Sequence, residues 1–217
     1  VTLGEIIAVA RSYADDSVAP YFGSDTEYTR YANRAEDEAC ERALLLEASL
    51  DVSLLVATSA YPLSRNSVAV QSARIGTANV TKARTLDVEN SIATEAGTGR
   101  PTCFGQREQT LHVYTIPTAE ETMVVRGYWY PAAAMSDLDA DSPEIAEDHH
   151  QYLAHWIAYE AIMAETAEGS RPKHRTDAAE HQLSLFMRRF GMGRSAHELK
   201  WWREQPLQQR VRLPRVV

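Results

Sequence analysis

The sequence predicts a mainly helical α+β protein. A helical bundle of about four helices carries a small five-stranded β-subdomain and is followed by an extended C-terminal arm. Three observations lead there. Apolar residues recur at steps of three and four near both ends of the chain. The middle switches to short β-branched runs. After Gly193 neither period persists. Residues 1–49 and 142–191 are assigned to the bundle, 50–141 to the β-rich insertion and 192–217 to the arm.

Thr2 and Glu5 stand in capping-box spacing, and Leu3, Ile6, Ile7, Ala10 and Tyr13 form one helical face behind them. That helix stops near residues 17–20. Ser24 and Glu27 repeat the box, and a second helix runs from residue 25 to about 48, with Tyr28, Tyr31, Ala35, Ala39, Ala43 and Leu46 as its apolar side. Its other face, Arg30, Arg34, Glu36, Asp37, Glu38, Glu41 and Arg42, reads as solvated.

Residues 52–58 form the first strand, 61–64 a turn, and 68–75 a second strand. Residues 85–93 read as a short helix. Residues 102–107 and 110–116 pair as a hairpin around Glu108 and Gln109, and 121–130 is the last strand, rich in Val, Tyr and Trp. The pillar of the bundle is then expected at 143–169, about six turns of helix. Ser142 would cap it, Pro143 would open its first turn, and Gly169 and Pro172 would end it. A final helix starts at Thr176, with Ala179, Leu183, Phe186, Met187 and Phe190 inward. Residues 196–203 allow one more helical turn. The rest, Q-P-L-Q-Q-R-V-R-L-P-R-V-V, has two prolines and little to fold against in its own chain.

Charge is uneven. The net charge is −8, yet residues 187–217 carry eight Arg or Lys against two Glu, and residues 1–186 carry 14 basic against 28 acidic residues. An acidic body is a poor grip for nucleic acid, and a basic tail suits an acidic or polar partner. No stretch is long enough for a membrane span, and the opening residues lack the basic segment of a secretory signal. Cys40 and Cys103 lack metal spacing and are expected as reduced thiols in a cytoplasm. Glu144, Glu147 and His150 offer one Glu-x-x-His but no second, so neither a metal site nor any other cofactor is expected. Phosphate-binding glycine loops and nucleophile elbows are absent, and the chain is read as a non-enzyme. Trp201 and Trp202 are adjacent and cannot both face one core, so at least one is a candidate interface anchor.

Five blocks carry a resemblance: L-G-E-I-I-A-V-A-R-S-Y-A-D-D, S-D-T-E-Y-T-R-Y-A-N-R-A, G-T-G-R-P-T-C-F, T-L-H-V-Y-T-I-P-T, and P-E-I-A-E-D-H-H-Q-Y-L-A-H-W-I-A-Y-E-A. The last places Pro143, Ile145, His150, Leu153 and Trp156 on the pattern Pro-x-Ile-x-x-x-x-His-x-x-Leu-x-x-Trp. Together the blocks resemble the head-to-tail adaptor (connector) proteins of tailed bacteriophages over most of residues 2–190, leaving the tail after 191 uncovered. The resemblance implies a homo-oligomeric ring, usually of twelve copies, below the portal protein. The ring would hold the next neck or tail protein while DNA passes through its channel without specific binding. It would be a virion component assembled in the host cytoplasm.

Docking on the portal would use the arm. Trp201, Trp202, Leu207, Leu213, Val216 and Val217 would be its apolar anchors, and Arg203, Arg210, Arg212 and Arg215 its forked donors. Whether the arm docks as a helix, an added strand or an extended peptide stays open. The alternatives are a head-closure or tail-terminator protein, which would be more β-rich, and a metal-dependent helical-bundle enzyme.

Overall fold

The structure is a computed structural model that describes residues 1–17, 23–95, 97–167, 174–193, 198–199 and 203. In chain order its elements are α1 (Leu3–Tyr13), α2 (Asp25–Ala43), β1 (Leu46–Leu54), β2 (Ala60–Pro62), β3 (Ser67–Ile75), β4 (Ala78–Lys82) and α3 (Thr85–Glu95). There follow β5 (Cys103–Arg107), β6 (Thr110–Tyr114), β7 (Glu121–Trp129), a 3-10 turn (Glu147–His149), α4 (His150–Ala167) and α5 (His174–Phe190). The chain divides into two compact units. One is Val1–Leu46 with Pro131–Gly193; the other is Glu47–Tyr130 with the described residues of the C-terminal stretch.

In the helical unit both capping boxes form. Thr2 Oγ1 accepts from Glu5 N at 3.3 Å while Thr2 N donates to the Glu5 carboxylate at 2.8 Å. Ser24 and Glu27 do the same at the head of α2. Helix α4 packs on α1, α2 and α5, and its Leu153, Ala154, Ile157 and Ala158 have no exposed surface. Phe186 and Phe190 of α5 are buried as expected, whereas Met187 is only half-buried.

The first strand, expected at 52–58, lies at Leu46–Leu54, and three helix boundaries differ from the sequence expectation as well. Helix α1 ends at Tyr13, where Asp15 takes a left-handed conformation (φ 54°). Asp16 then accepts from Arg11 at 2.7 Å, Tyr28 OH at 3.1 Å and Gly23 N at 3.3 Å. Helix α2 stops at Ala43 instead of continuing to 48, with Leu44 left-handed (φ 57°). The residues after it are good helix formers, but β7 claims them: Trp129 Nε1 donates to Ala48 O at 2.9 Å and Arg126 pairs with Glu47 at 2.7 Å. The pillar begins at His150, not Pro143, because Glu36 Oε1 takes the N–H of Glu144 (2.6 Å) and of Ile145 (3.2 Å) and holds that segment out of the helix. Glu36 therefore does not lie on a solvated face. It is 1 % exposed, and burial pushes its carboxyl up to about 7, against the opposing pull of those two N–H groups.

The β unit corrects the fold class. In place of the expected small five-stranded subdomain on a bundle of about four helices, the described residues form α1–α5 and one seven-stranded mixed sheet. The sheet is curled into a half-barrel of order β1-β7-β3-β4-β5-β6-β2. All the strand pairs with a described register are antiparallel except β4–β5. Two strands were missed. β4 follows β3 through a two-residue turn in which Gly76 takes φ 58°, a Gly-x hairpin signal that was legible. β2 lies where Tyr61 and Pro62 read as a turn; a proline is tolerated there because β2 is the sheet's edge. Trp129, Phe104, Leu111, Val113, Met123 and Val125 fill the inner face at or below 1 % exposure.

Candidate docking site

Strand β3 is where Arg203 meets the β unit. It pairs with β7 along its length but with β4 only through residues 73–75, and its register against β7 shifts between Ser67 and Ala69 and again between Val70 and Ser72. Gly127 of β7 permits the close approach at this irregularity, since a Cβ there would lie 2.7 Å from Ala69 O. The outer main-chain groups of residues 67–70 lie beyond the β4 ladder. Buried peptide groups need partners, and here side chains supply them.

Gln106 of β5, fully buried, accepts from Val70 N at 2.9 Å through Oε1. Its Nε2 donates to Ser67 Oγ at 2.6 Å and to Glu108 O at 2.8 Å. Gln109 Oε1 accepts from Ser67 N at 2.8 Å, and its Nε2 donates to Ser67 O at 3.3 Å. The buried Lys82 of β4 donates its Nζ to Val70 O. The fourth contributor is Arg203, whose Nε donates to Val68 O at 3.0 Å and whose Nη2 donates to Ser67 O at 3.2 Å.

Sequence reasoning gave Gln106, Gln109 and Lys82 no such role. A faint signal existed. Gln106 follows buried Phe104 by two residues and Lys82 follows buried Val80 by two, so strand alternation turns both polar side chains inward. Of the ten residues expected to bind a portal, Arg203 alone is among the described residues. Trp201, Trp202, Leu207, Arg210, Arg212, Leu213, Arg215, Val216 and Val217 lie outside them.

The rejected metal candidates do not converge. Glu144 Oε2 accepts from Ala132 N at 2.8 Å, Glu147 is exposed, and His150 is buried with Nε2 2.8 Å from Ile145 O. Among the described residues no three His, Cys, Asp or Glu side chains are grouped to hold a metal ion. Neither cysteine is in a disulfide: Cys40 is buried, and Cys103 is half-buried with its pKa raised by burial. No described helix is long and apolar enough to cross a membrane.

Exposed apolar surface occurs on both units. Val9 and Tyr13 stand 41 % exposed on α1, beside a groove of about 630 Å³ lined by Val1, Ile6, Val9 and Ala154 and rimmed by Glu5, Glu147 and Asp148. On the β unit Leu55 and Val56 are more than half exposed at the end of β1, next to a Tyr61 hydroxyl that donates to the loop carbonyls.

The profile of a family described as SU10 adaptor protein matches residues 1–210. No curated protein matches the chain. The family match takes in the stretches that carried the resemblance and continues past Gly191, where the resemblance had stopped, into the C-terminal stretch that holds Arg203.

Proposed function

The chain belongs to the SU10 adaptor protein family of phage head-to-tail adaptors, and from that premise we propose a ring of twelve copies docked beneath the portal. As a family member it is a structural component of the virion. The finer reading is that the arm docks each copy on the portal, that the ring carries the next neck or tail protein, and that DNA passes through its channel. The match over residues 1–210 carries this reading. Charge supports it: a body of 14 basic and 28 acidic residues makes a duct wall that does not hold DNA, and a basic, proline-broken arm suits insertion into a neighbour. Pro206 and Pro214 lower the entropy lost when the arm is ordered, and twelve arms acting together turn modest single affinities into a stable ring.

We further infer assembly in the host cytoplasm, without catalysis or a resident metal; stoichiometric metal in purified virions would overturn the last point. The docking reading is tested by a chain ending at Gln205, which keeps Arg203 and loses residues 206–217. Mixed with the portal ring of the same phage and followed by native mass spectrometry, it should retain its circular dichroism spectrum and fail to form the portal complex. Binding equal to that of the full chain would defeat docking by the arm.

A further inference from the structure

We propose that Arg203 is a positioning residue for the docking arm: it pins the root of the arm to β3, and the partner is met from that fixed point. The purpose of the pin rests on the docking reading above; its geometry does not. In a regular strand successive carbonyls point to opposite sides, so no single side chain serves two in a row. Ser67 O and Val68 O both accept from the one guanidinium, at 3.2 and 3.0 Å, and the register shift between Ser67 and Ala69 is what brings them to the same side. Nε and Nη2 form one edge of a planar fork and match that pair; the single ammonium of a lysine does not.

The surrounding groups are already committed. Ser67 N is taken by Gln109, Ser67 Oγ by Gln106 and Val70 N by Gln106, so Arg203 adds a second donor to Ser67 O beside Gln109 and supplies the side-chain donor to Val68 O. It arrives from 135 and 136 residues away, whereas Gln106, Gln109 and Lys82 come from neighbouring strands and turns. A rooted arm searches a small volume for its partner, which raises its effective concentration there. On this view Arg203 leaves the set of portal contacts, and Arg210, Arg212 and Arg215 remain in it.

Trypsin tests the pin directly, because it must draw the side chain before the cut bond into its own pocket. Full-length wild type and R203K are digested under native conditions and followed by intact mass, with peptides spanning residues 198–208 and carrying Arg or Lys as the unstructured reference. After division by the peptide rates, the bond after residue 203 should be cut at least about tenfold more slowly in wild type than in R203K. Portal docking of R203K, which keeps the arm's charge, should weaken about three- to tenfold with an unchanged circular dichroism spectrum. Equal or faster cutting of wild type overturns the pin, and undiminished docking of R203K overturns its positioning role. A wild-type chain that does not dock at all defeats the adaptor reading instead, and the tryptic ratio still decides the pin.

Discussion

The two units bury polar groups in opposite ways. In the helical unit the buried polar groups are ionisable. Arg11 and Asp16, with side chains 7 % and 1 % exposed, pair at 2.7 Å; Tyr28 joins them, and Glu36 stands apart on α2. In the β unit the centre is a pair of neutral amides, Gln106 and Gln109, flanked by Lys82 and Arg203, which donate to main-chain carbonyls. The difference follows from where each architecture leaves its backbone unpaired. Helices satisfy their own interiors, so the loose groups are N–H donors at their ends, such as Gly23, Glu144 and Ile145, and carboxylates collect them. A sheet with a register shift leaves both donors and acceptors along one strand. An amide offers both, and a carboxylate offers only acceptors.

The comparison breaks most readily at Asp16. Asp16→Ala takes the buried carboxylate away from the Arg11 guanidinium and leaves its pairing with Asp25, which is 64 % exposed. A loss of about 3–5 kcal/mol is expected for the helical unit, because breaking a buried ion pair from one side costs more than the pair contributed. Urea unfolding followed by far-ultraviolet circular dichroism measures it; a loss below about 1 kcal/mol would mean that the cluster is solvated.

Next is Gln106→Leu, nearly isosteric and apolar. It strands Val70 N and removes the amide donor to Ser67 Oγ and Glu108 O, and should cost the β unit about 2–4 kcal/mol. Amide hydrogen exchange along β3 and β7 reads this unit separately. Because the lost partner is neutral, the decrement should be the same at pH 5 and pH 8, and a strong pH dependence would erase the contrast between the units.

The smallest effect sharpens the comparison most. The Glu36 carboxyl is raised from an ordinary 4.5 to about 7 by burial, so the folded state holds that proton more tightly than the unfolded chain. Its stabilising contribution is fully present below pH 4.5 and is lost as pH rises through 7. Glu36→Gln stays neutral and can accept the same two N–H bonds. The variant should therefore unfold with a flatter profile across that window and exceed wild type by about 1–3 kcal/mol at pH 8. Parallel pH profiles for the two proteins would show that Glu36 does not carry the dependence.

Both capping boxes were legible because every atom involved lies within three residues of its partner. Strands β3, β5, β6 and β7 were legible because alternation and β-branching are properties of the strand itself. Sequence blocks also led to the adaptor family, which the match over residues 1–210 bears out. The failures have a common cause of a different kind. Residues 46–48 prefer helix on their own and become strand only because Trp129 and Arg126 engage them from about 80 residues away. Glu36 looks like a surface charge until a segment 108 and 109 residues downstream presents two N–H groups to it.

The sequence by itself therefore determined the helix starts at Thr2 and Ser24, the alternating strands and the family, since these are written in contacts between near neighbours and in residue order. Tertiary structure alone decided where α2 yields to β1, that the sheet has seven strands, that Glu36 is buried and that Arg203 spans Ser67 O and Val68 O. In each of those cases a peptide group withdrawn from water needed a partner, and the partner lay elsewhere in the chain.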